Sequence, residues 1–177
     1  MPNPGSINDL PEDHLIKILF EEHRAILTYL NGMDRLRQDI YSLDSPMDHP
    51  ELFVKLISIS EQLMAVAKHH QREDEVLFPA LFNADAGNHL KVLSSEHLFL
   101  TEYKLKFFNH IKDLSAMDFK SYKLQMNFMA NGIIGILREH IYLEDTTVFP
   151  TALKVITDET QWREMNRKFR TIGSYFE

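Results

Sequence analysis

The 177-residue chain contains no cysteine, which excludes disulfides, thiolate metal sites and cysteine nucleophiles. It has no excess of basic charge: 19 Lys and Arg stand against 26 Asp and Glu, for a net charge of −7. That balance is spread along the chain and argues against nucleic acid and anionic membrane surfaces as partners. No apolar run approaches the roughly 20 residues that span a bilayer. The opening Met-Pro-Asn-Pro-Gly-Ser lacks the basic and apolar regions of a signal peptide. A cytoplasmic protein without a membrane partner is the expectation. No stretch sustains period-two alternation, so no sheet is expected either. In surplus are nine histidines and eight methionines, and the histidines carry the information.

The length fits one domain with a sizeable core. Residues 1–11 hold three prolines and a glycine and read as a flexible leader ending at Pro11. From Glu12 to about Tyr41, Leu15, Leu19, Ile26, Leu30 and Met33 recur at helical spacing, with His23 in the same stripe. Asp48 or His49 before Pro50 opens a second helix, from about Glu51 to Leu77, which Pro79 should bend or end. Residues 83–88, with Gly87 as breaker, join the halves. A third helix runs from about Asn88 to Ile111. A fourth, opened by a Ser115–Asp118 capping arrangement, reaches about Val148. Gly132 and Gly135 within it weaken the helix and give room for a close neighbour. A short last helix, about Asp158 to Arg170 with Thr157 as cap, offers Trp162, Met165 and Phe169 for docking. The architecture expected is all-α: an antiparallel up-down four-helix bundle over 12–155, with 156–177 packed on it.

One frame occurs twice. His69-His-Gln-Arg-Glu73-Asp-Glu-Val-Leu-Phe78-Pro79 matches His140-Ile-Tyr-Leu-Glu144-Asp-Thr-Thr-Val-Phe149-Pro150, and each copy has an upstream Glu-His pair, Glu22-His23 and Glu96-His97. Residues four apart share a helix face, so His69 with Glu73, and His140 with Glu144, each reach one metal region. His23 and His97 complete a ring of six candidate ligands from four helices. The arrangement implied pairs His23 with His69 and His97 with His140, bridged by Glu73 and Glu144. Imidazole plus carboxylate without sulfur suits iron, manganese or zinc. Four protein atoms per ion leave positions for oxygen, nitric oxide, hydroxide or peroxide.

His70 could replace His69, but the shared frame selects His69. Glu22 and Glu96 point about a quarter-turn from the ligand histidines and read as exposed or supporting. Asp74, Glu75 and Asp145 lie near enough to contribute, with a solvated role expected for each. Tyr103 and Tyr142 could donate hydrogen bonds near the site, although packing is expected. His14, His49, His89 and His110 fall outside the frame. The two Phe-Pro steps are expected to end their helices just beyond the site.

The constellation His23, His69-x-x-x-Glu73, His97 and His140-x-x-x-Glu144 resembles the hemerythrin-like, or HHE cation-binding, family over roughly residues 12–155. The stretches from His69 through Leu81 and from Arg138 through Gly173 are similar to a branch often joined to PAS sensor domains. The resemblance implies a non-heme centre of two iron ions, oxo- or hydroxo-bridged, with these six residues as ligands; zinc or manganese is an alternative. It implies a diatomic molecule or peroxide as ligand and a role in binding or sensing it, or in iron handling. Alternatives are a metal-dependent redox enzyme, an iron-sulfur cluster repair factor, or a regulatory module that metal merely stabilises. No protein partner is indicated. Two departures matter. Oxygen-carrying members have a further histidine where this chain has Thr101, and a last Asp five residues after its histidine, where Glu144 stands at four with Asp145 beside it. The missing histidine makes the two ions more alike and more open, which points away from reversible oxygen carriage and towards sensing, iron handling or redox chemistry.

Overall fold

A computed structural model describes residues 7–84, 87, 89–115, 117–173 and 175. Residues 1–6 of the expected leader, and 85, 86 and 88 of the expected connection, lie outside that set. The chain builds α1 (Leu15–Ser42), α2 (Pro50–Ala65), α3 (Ala67–Arg72), a π-helical turn (Glu73–Leu77) and α4 (Phe78–Asn83). The second half repeats the plan with α5 (Leu90–Lys112), α6 (Phe119–Leu143), a second π turn (Glu144–Val148) and α7 (Phe149–Val155), then closes with α8 (Glu159–Ile172). There is no strand among the described residues, and none of these helices is long and apolar enough to cross a membrane.

Packing closes a ring: α1 lies against α2 and α6, and α5 against the same two helices. Its interior is layered. One apolar cluster holds Ile26, Leu30, Leu56, Phe107 and Ile133. The other holds Leu15, Leu19, Leu77, Leu93 and Phe149. On α1 the clusters are separated by His23, between Leu19 and Ile26, and on α5 by His97, between Leu93 and Leu100. Burial of apolar surface at roughly 25 cal/mol per Å² on both sides thus holds a polar layer across the middle of the bundle.

Several local expectations are revised. The second helix is not continuous: α2 ends at Ala65 and α3 starts at Ala67. The buried Lys104 ammonium of α5 donates to the Leu63 carbonyl at 2.9 Å, and a side chain inserted into the ladder is a recognised cause of helix breaks. Burial also pulls the Lys104 pKa down to about 8.

Neither Phe-Pro step ends its helix. Pro79 and Pro150 open α4 and α7 instead, the first-turn place where the missing N–H costs nothing. Each follows a π turn, closed where the Phe78 N–H reaches the Glu73 carbonyl and the Phe149 N–H that of Glu144. Four residues before Pro79 stands the Glu75 carbonyl, and the Lys168 ammonium of α8 donates to it.

Caps also differ. Asp118, not Ser115, caps α6 by accepting from the Ser121 N–H at 3.0 Å. Asp158, not Thr157, caps α8 by accepting from the Thr160 N–H at 2.8 Å. The end of the supposed leader packs down, with a 3-10 turn at Ile7–Asp9 and Leu10 buried, because Ile7 and Leu10 share one side of such a turn. Gly132 faces Tyr103, whose ring carbon would lie 3.0 Å from an added Cβ, while Gly135 meets nothing.

Candidate metal centre

All six predicted ligands converge in the polar layer. His23, His69, His97, His140, Glu73 and Glu144 come from α1, α3, α5, α6 and the two π turns, and all are buried. The Nε2 atoms of His23 and His69 are 3.0 Å apart, and those of His97 and His140 are 2.9 Å apart. Between the pairs lie the glutamates. Glu73 Oε1 is 3.3 Å from His69 Nε2, and its Oε2 is 3.6 Å from His97 Nε2. Glu144 Oε1 is 3.2 Å from His140 Nε2, and its Oε2 is 3.3 Å from His23 Nε2. Each carboxylate therefore turns one oxygen towards each imidazole pair. Two groups of donors result, His23–His69–Glu73–Glu144 and Glu73–His97–His140–Glu144, with donor atoms in each lying within 4.8 Å of one another.

Whether these residues fit cations is decided by their unpaired atoms. All four oxygens of Glu73 and Glu144 are buried without a hydrogen-bond partner. Their polar neighbours are imidazole nitrogens at 3.2–3.6 Å, a costly arrangement for buried carboxylates unless a proton or a cation stands between, and divalent ions there would satisfy all four oxygens at once. The donor set, nitrogen and oxygen without sulfur, suits iron, manganese or zinc.

The other face of every imidazole is held. The Nδ1–H of His23 donates to Asp145 at 2.7 Å, that of His69 to Glu22 at 2.8 Å, that of His97 to Asp74 at 2.9 Å and that of His140 to Glu96 at 2.9 Å. These bonds keep the Nδ1 proton outward and turn Nε2 towards the glutamates, the arrangement by which proteins orient metal-bound histidines. The solvated role expected for Asp74 and Asp145 is thus corrected: each crosses to the helix of the other repeat and holds a ring. Glu75 is exposed and accepts from Gln71 at 2.8 Å. The Phe-Pro phenylalanines also reach across. Phe149 stacks on His23 at 5.2 Å and Phe78 on His97 at 5.7 Å, which gives these repeated residues a role in placing the rings.

Charge in the metal-free centre follows from crowding. Burial opposes the imidazolium form of His23, but Asp145, Glu144 and Glu73 outweigh it and hold its pKa up at about 10. For His140 burial is likewise overcome, by Glu144, Glu73 and Glu96, and its pKa stands at about 9. His69 is raised against burial by Glu73 and Glu22. Glu144, despite its burial, is held well below the usual carboxylate range by His140 and His23. Protons therefore sit on the imidazoles where cations would compete for the same lone pairs.

Sequence reasoning missed Arg72 and left His70 and Thr101, both named there, without a role at the centre. Arg72 is buried, donates to the Glu22 carboxylate and lies 4.3 Å from the centre of the Phe169 ring of α8. His70, set aside by the frame comparison, is buried and stacks on His97 at 4.0 Å. Thr101 lines a cleft of about 230 Å³ beside His97, with His70, Gln71 and Leu98. The adjacency of His69 and His70 and the place of Thr101, one turn after His97, were the usable signals. Tyr142 is exposed, and Tyr103 stacks on Phe99 at 5.3 Å. His14 caps α1 and His49 pairs with Glu51, so both are accounted for away from the centre.

A four-helix bundle with four imidazoles and two shared carboxylates across its middle defines a class of cation-binding domain. The family profile of the hemerythrin HHE cation-binding domain matches residues 14–152, and the chain belongs to that family. No curated protein matches the chain.

Proposed function

We propose that this protein holds two iron ions in a non-heme centre and uses them to bind or sense oxygen, nitric oxide or peroxide, or to handle iron. The observation that carries the reading is the set of four buried, unpartnered oxygens on Glu73 and Glu144, framed by four imidazoles. His23 and His69 would hold one ion and His97 and His140 the other, with the two glutamates shared. Four protein donors per ion leave coordination positions on a metal that prefers six, and iron supplies one-electron redox chemistry there.

The chain's own residues supply orientation and dryness. Asp145, Glu22, Asp74 and Glu96 keep each imidazole aimed inward, and Phe149 and Phe78 cover the rings of His23 and His97. The cleft lined by Thr101 and Gln71 gives a small molecule a way towards the His97 side. The sequence offers no dedicated general base, nucleophile or nucleotide-binding loop, so any reactivity would be the metal's own.

The test is metal analysis with ultraviolet-visible spectra on protein from iron-supplemented cells, taken reduced, then in air, then with nitric oxide. Two irons per chain and a charge-transfer band that responds to air or nitric oxide are expected. Zinc, or iron with no spectral response, would overturn the sensing role and leave a bundle that metal merely stabilises.

A further inference from the structure

The longest run of the chain without a charged side chain is residues 124–137 of α6. One face of that stretch is apolar yet turned to water. Phe128 is 73% exposed and Tyr142, just beyond the run, is 70% exposed; Leu124 is exposed on the same side. Midway between the two aromatics stands the exposed Gly135, seven residues from each, and a Cβ added there would meet nothing within 4 Å. Seven residues are nearly two helical turns, so the three share one face, with the glycine as its recessed midpoint. Four residues to either side of Gly135 come the exposed Asn131 and Glu139. From α5 the exposed Phe99 stacks at 5.3 Å on Tyr103, whose ring lies against Gly132, and extends the patch. Contiguous apolar surface of this kind marks an interaction site.

We propose that this face of α6 is where two copies of the chain meet, antiparallel, about a two-fold axis at Gly135. A two-fold contact requires that whatever lies a given distance before the axis fits whatever lies the same distance after it. The face meets that condition. Phe128 of each copy falls against Tyr142 of the other, and the Asn131 amide can donate to the Glu139 carboxylate of the other. The bare glycine lets the two helices approach where they cross, and the aromatic rings fill the gap where they diverge. Aromatic side chains bury about 150–250 Å² each, so Phe128, Tyr142 and Phe99 cover about half of the roughly 800 Å² per copy that a stable interface needs. Charge points the same way. Each copy carries −7, and like charges brought together oppose contact, so an uncharged face is the one on which identical chains can pair. A flat lipid surface would leave the recess at Gly135 empty, whereas a second α6 fills it. Because α6 also supplies His140, the pairing would join two polar layers in one assembly. The proposal is independent of what those layers hold.

The experiment is sedimentation equilibrium of the full-length protein, with twice the single-chain mass of 20.8 kDa expected. Because the chain has no cysteine, Gly135→Cys reports on that position alone. Helix axes about 8–10 Å apart, less two Cα radii of about 2.3 Å, bring facing Cα atoms within disulfide reach. Mild oxidation should therefore link two copies of Gly135→Cys but not of Lys55→Cys, an exposed position on α2. Phe128→Glu and Tyr142→Lys should each raise the dissociation constant of the dimer at least about 30-fold, the scale of an aromatic anchor. Mixing those two variants should restore dimers, since the new carboxylate of one chain then faces the new ammonium of the other. Both positions are exposed, and circular dichroism of each variant controls for folding. A parent chain that keeps the mass of one copy at its solubility limit would overturn the proposal, including one that instead floats with phosphatidylcholine vesicles. A dimer that neither variant weakens, that Gly135→Cys does not link, or that the mixture does not restore would overturn it as well, by placing the contact elsewhere or in another register.

Discussion

Glu22 and Glu96 occupy matching places in the two repeats, and each holds the Nδ1–H of the partner histidine at 2.8 to 2.9 Å. Their surroundings differ. Glu22 is 1% exposed and also takes the buried guanidinium of Arg72, which is capped by Phe169 of α8. The Glu96 side chain is 37% exposed, and the place of Arg72 in the second repeat is the half-buried Leu143. The His23–His69 half is thus closed by a buried ion pair and a helix outside the ring. The His97–His140 half borders a cleft and has His70 beside it. A repeat preserves the inner donors because their spacing is dictated by what they share. The carboxylates and phenylalanines that hold the rings are matched as well; the residues beyond them, Arg72 against Leu143, diverge and set how each half meets water.

The largest effect should come from removing what the halves share. Glu73→Ala takes one oxygen from each donor group, so both cations should be lost together, with affinity falling by more than the roughly 10–100-fold typical of a supporting residue. His140→Ala touches one group only, and one ion should remain after dialysis. Metal analysis of the two variants decides whether the halves are one centre: Glu73→Ala protein that keeps a full complement in either half would show them independent.

Next in size is the clamp found in one half alone. Arg72→Met leaves Glu22 buried without its cation, and breaking a buried pair costs about 3–5 kcal/mol. The matching change in the other half, Leu143→Met, conserves volume and should stay under about 1.5 kcal/mol. Urea denaturation of the metal-free variants measures both. Equal losses would mean that α8 and Arg72 add nothing particular to the first half.

Protons should distinguish the halves as well. His23 stays protonated in the metal-free protein up to about pH 10 and His140 up to about pH 9. A cation needs the deprotonated Nε2, so binding releases these protons, and apparent affinity rises with pH, about tenfold per unit for each proton displaced. The rise should level off near pH 9 for the second half and continue towards pH 10 for the first. Calorimetry of zinc binding in buffers of different ionisation enthalpy counts the protons, and release of none at pH 7 would refute this assignment.

The bundle and its family were legible because one constraint, ligands four apart on facing helices, stamped the same frame on His69–Glu73 and His140–Glu144. What lay across helices was not. The Asp145–His23 bond joins residues 122 apart, and the Asp74–His97 bond crosses between repeats in the same way, so no local pattern announces either. Nor do the π turns have a sequence period. Phe78-Pro79 reads as a stop, yet a turn widened at Glu73 carries the helix past the proline. His70 was passed over for a related reason: comparing the copies selects what they have in common, and His70 is what they do not.

The break at Val66 is a smaller asymmetry of this kind. α6 runs unbroken to Leu143, whereas α2 gives way to α3 where Lys104 donates to Leu63. Seven residues after His97, Lys104 corresponds to Leu30, seven after His23. Lys104→Met should leave the buried Leu63 carbonyl bare and cost about 1–3 kcal/mol, read by thermal denaturation. No loss would mean that the ladder closes by itself and that the lysine alone imposes the break.

The finest comparison returns to the two glutamates. Glu96→Gln keeps size and an acceptor oxygen for the His140 Nδ1–H but removes the charge that strengthens that bond. Because Glu96 reaches solvent and supports only one ring, the change should weaken the second cation position about tenfold, at the low end for such partners. It should leave the first position and the helical content as they were. Glu22→Gln should do more than this, since it also strips Arg72 of its counter-charge in a dry environment. Parallel zinc titrations of the two variants measure the gap between them. If both variants lost metal equally, the burial of Glu22 and its arginine would count for nothing in holding the ion. The asymmetry of the halves would then reside in His70 and the cleft alone.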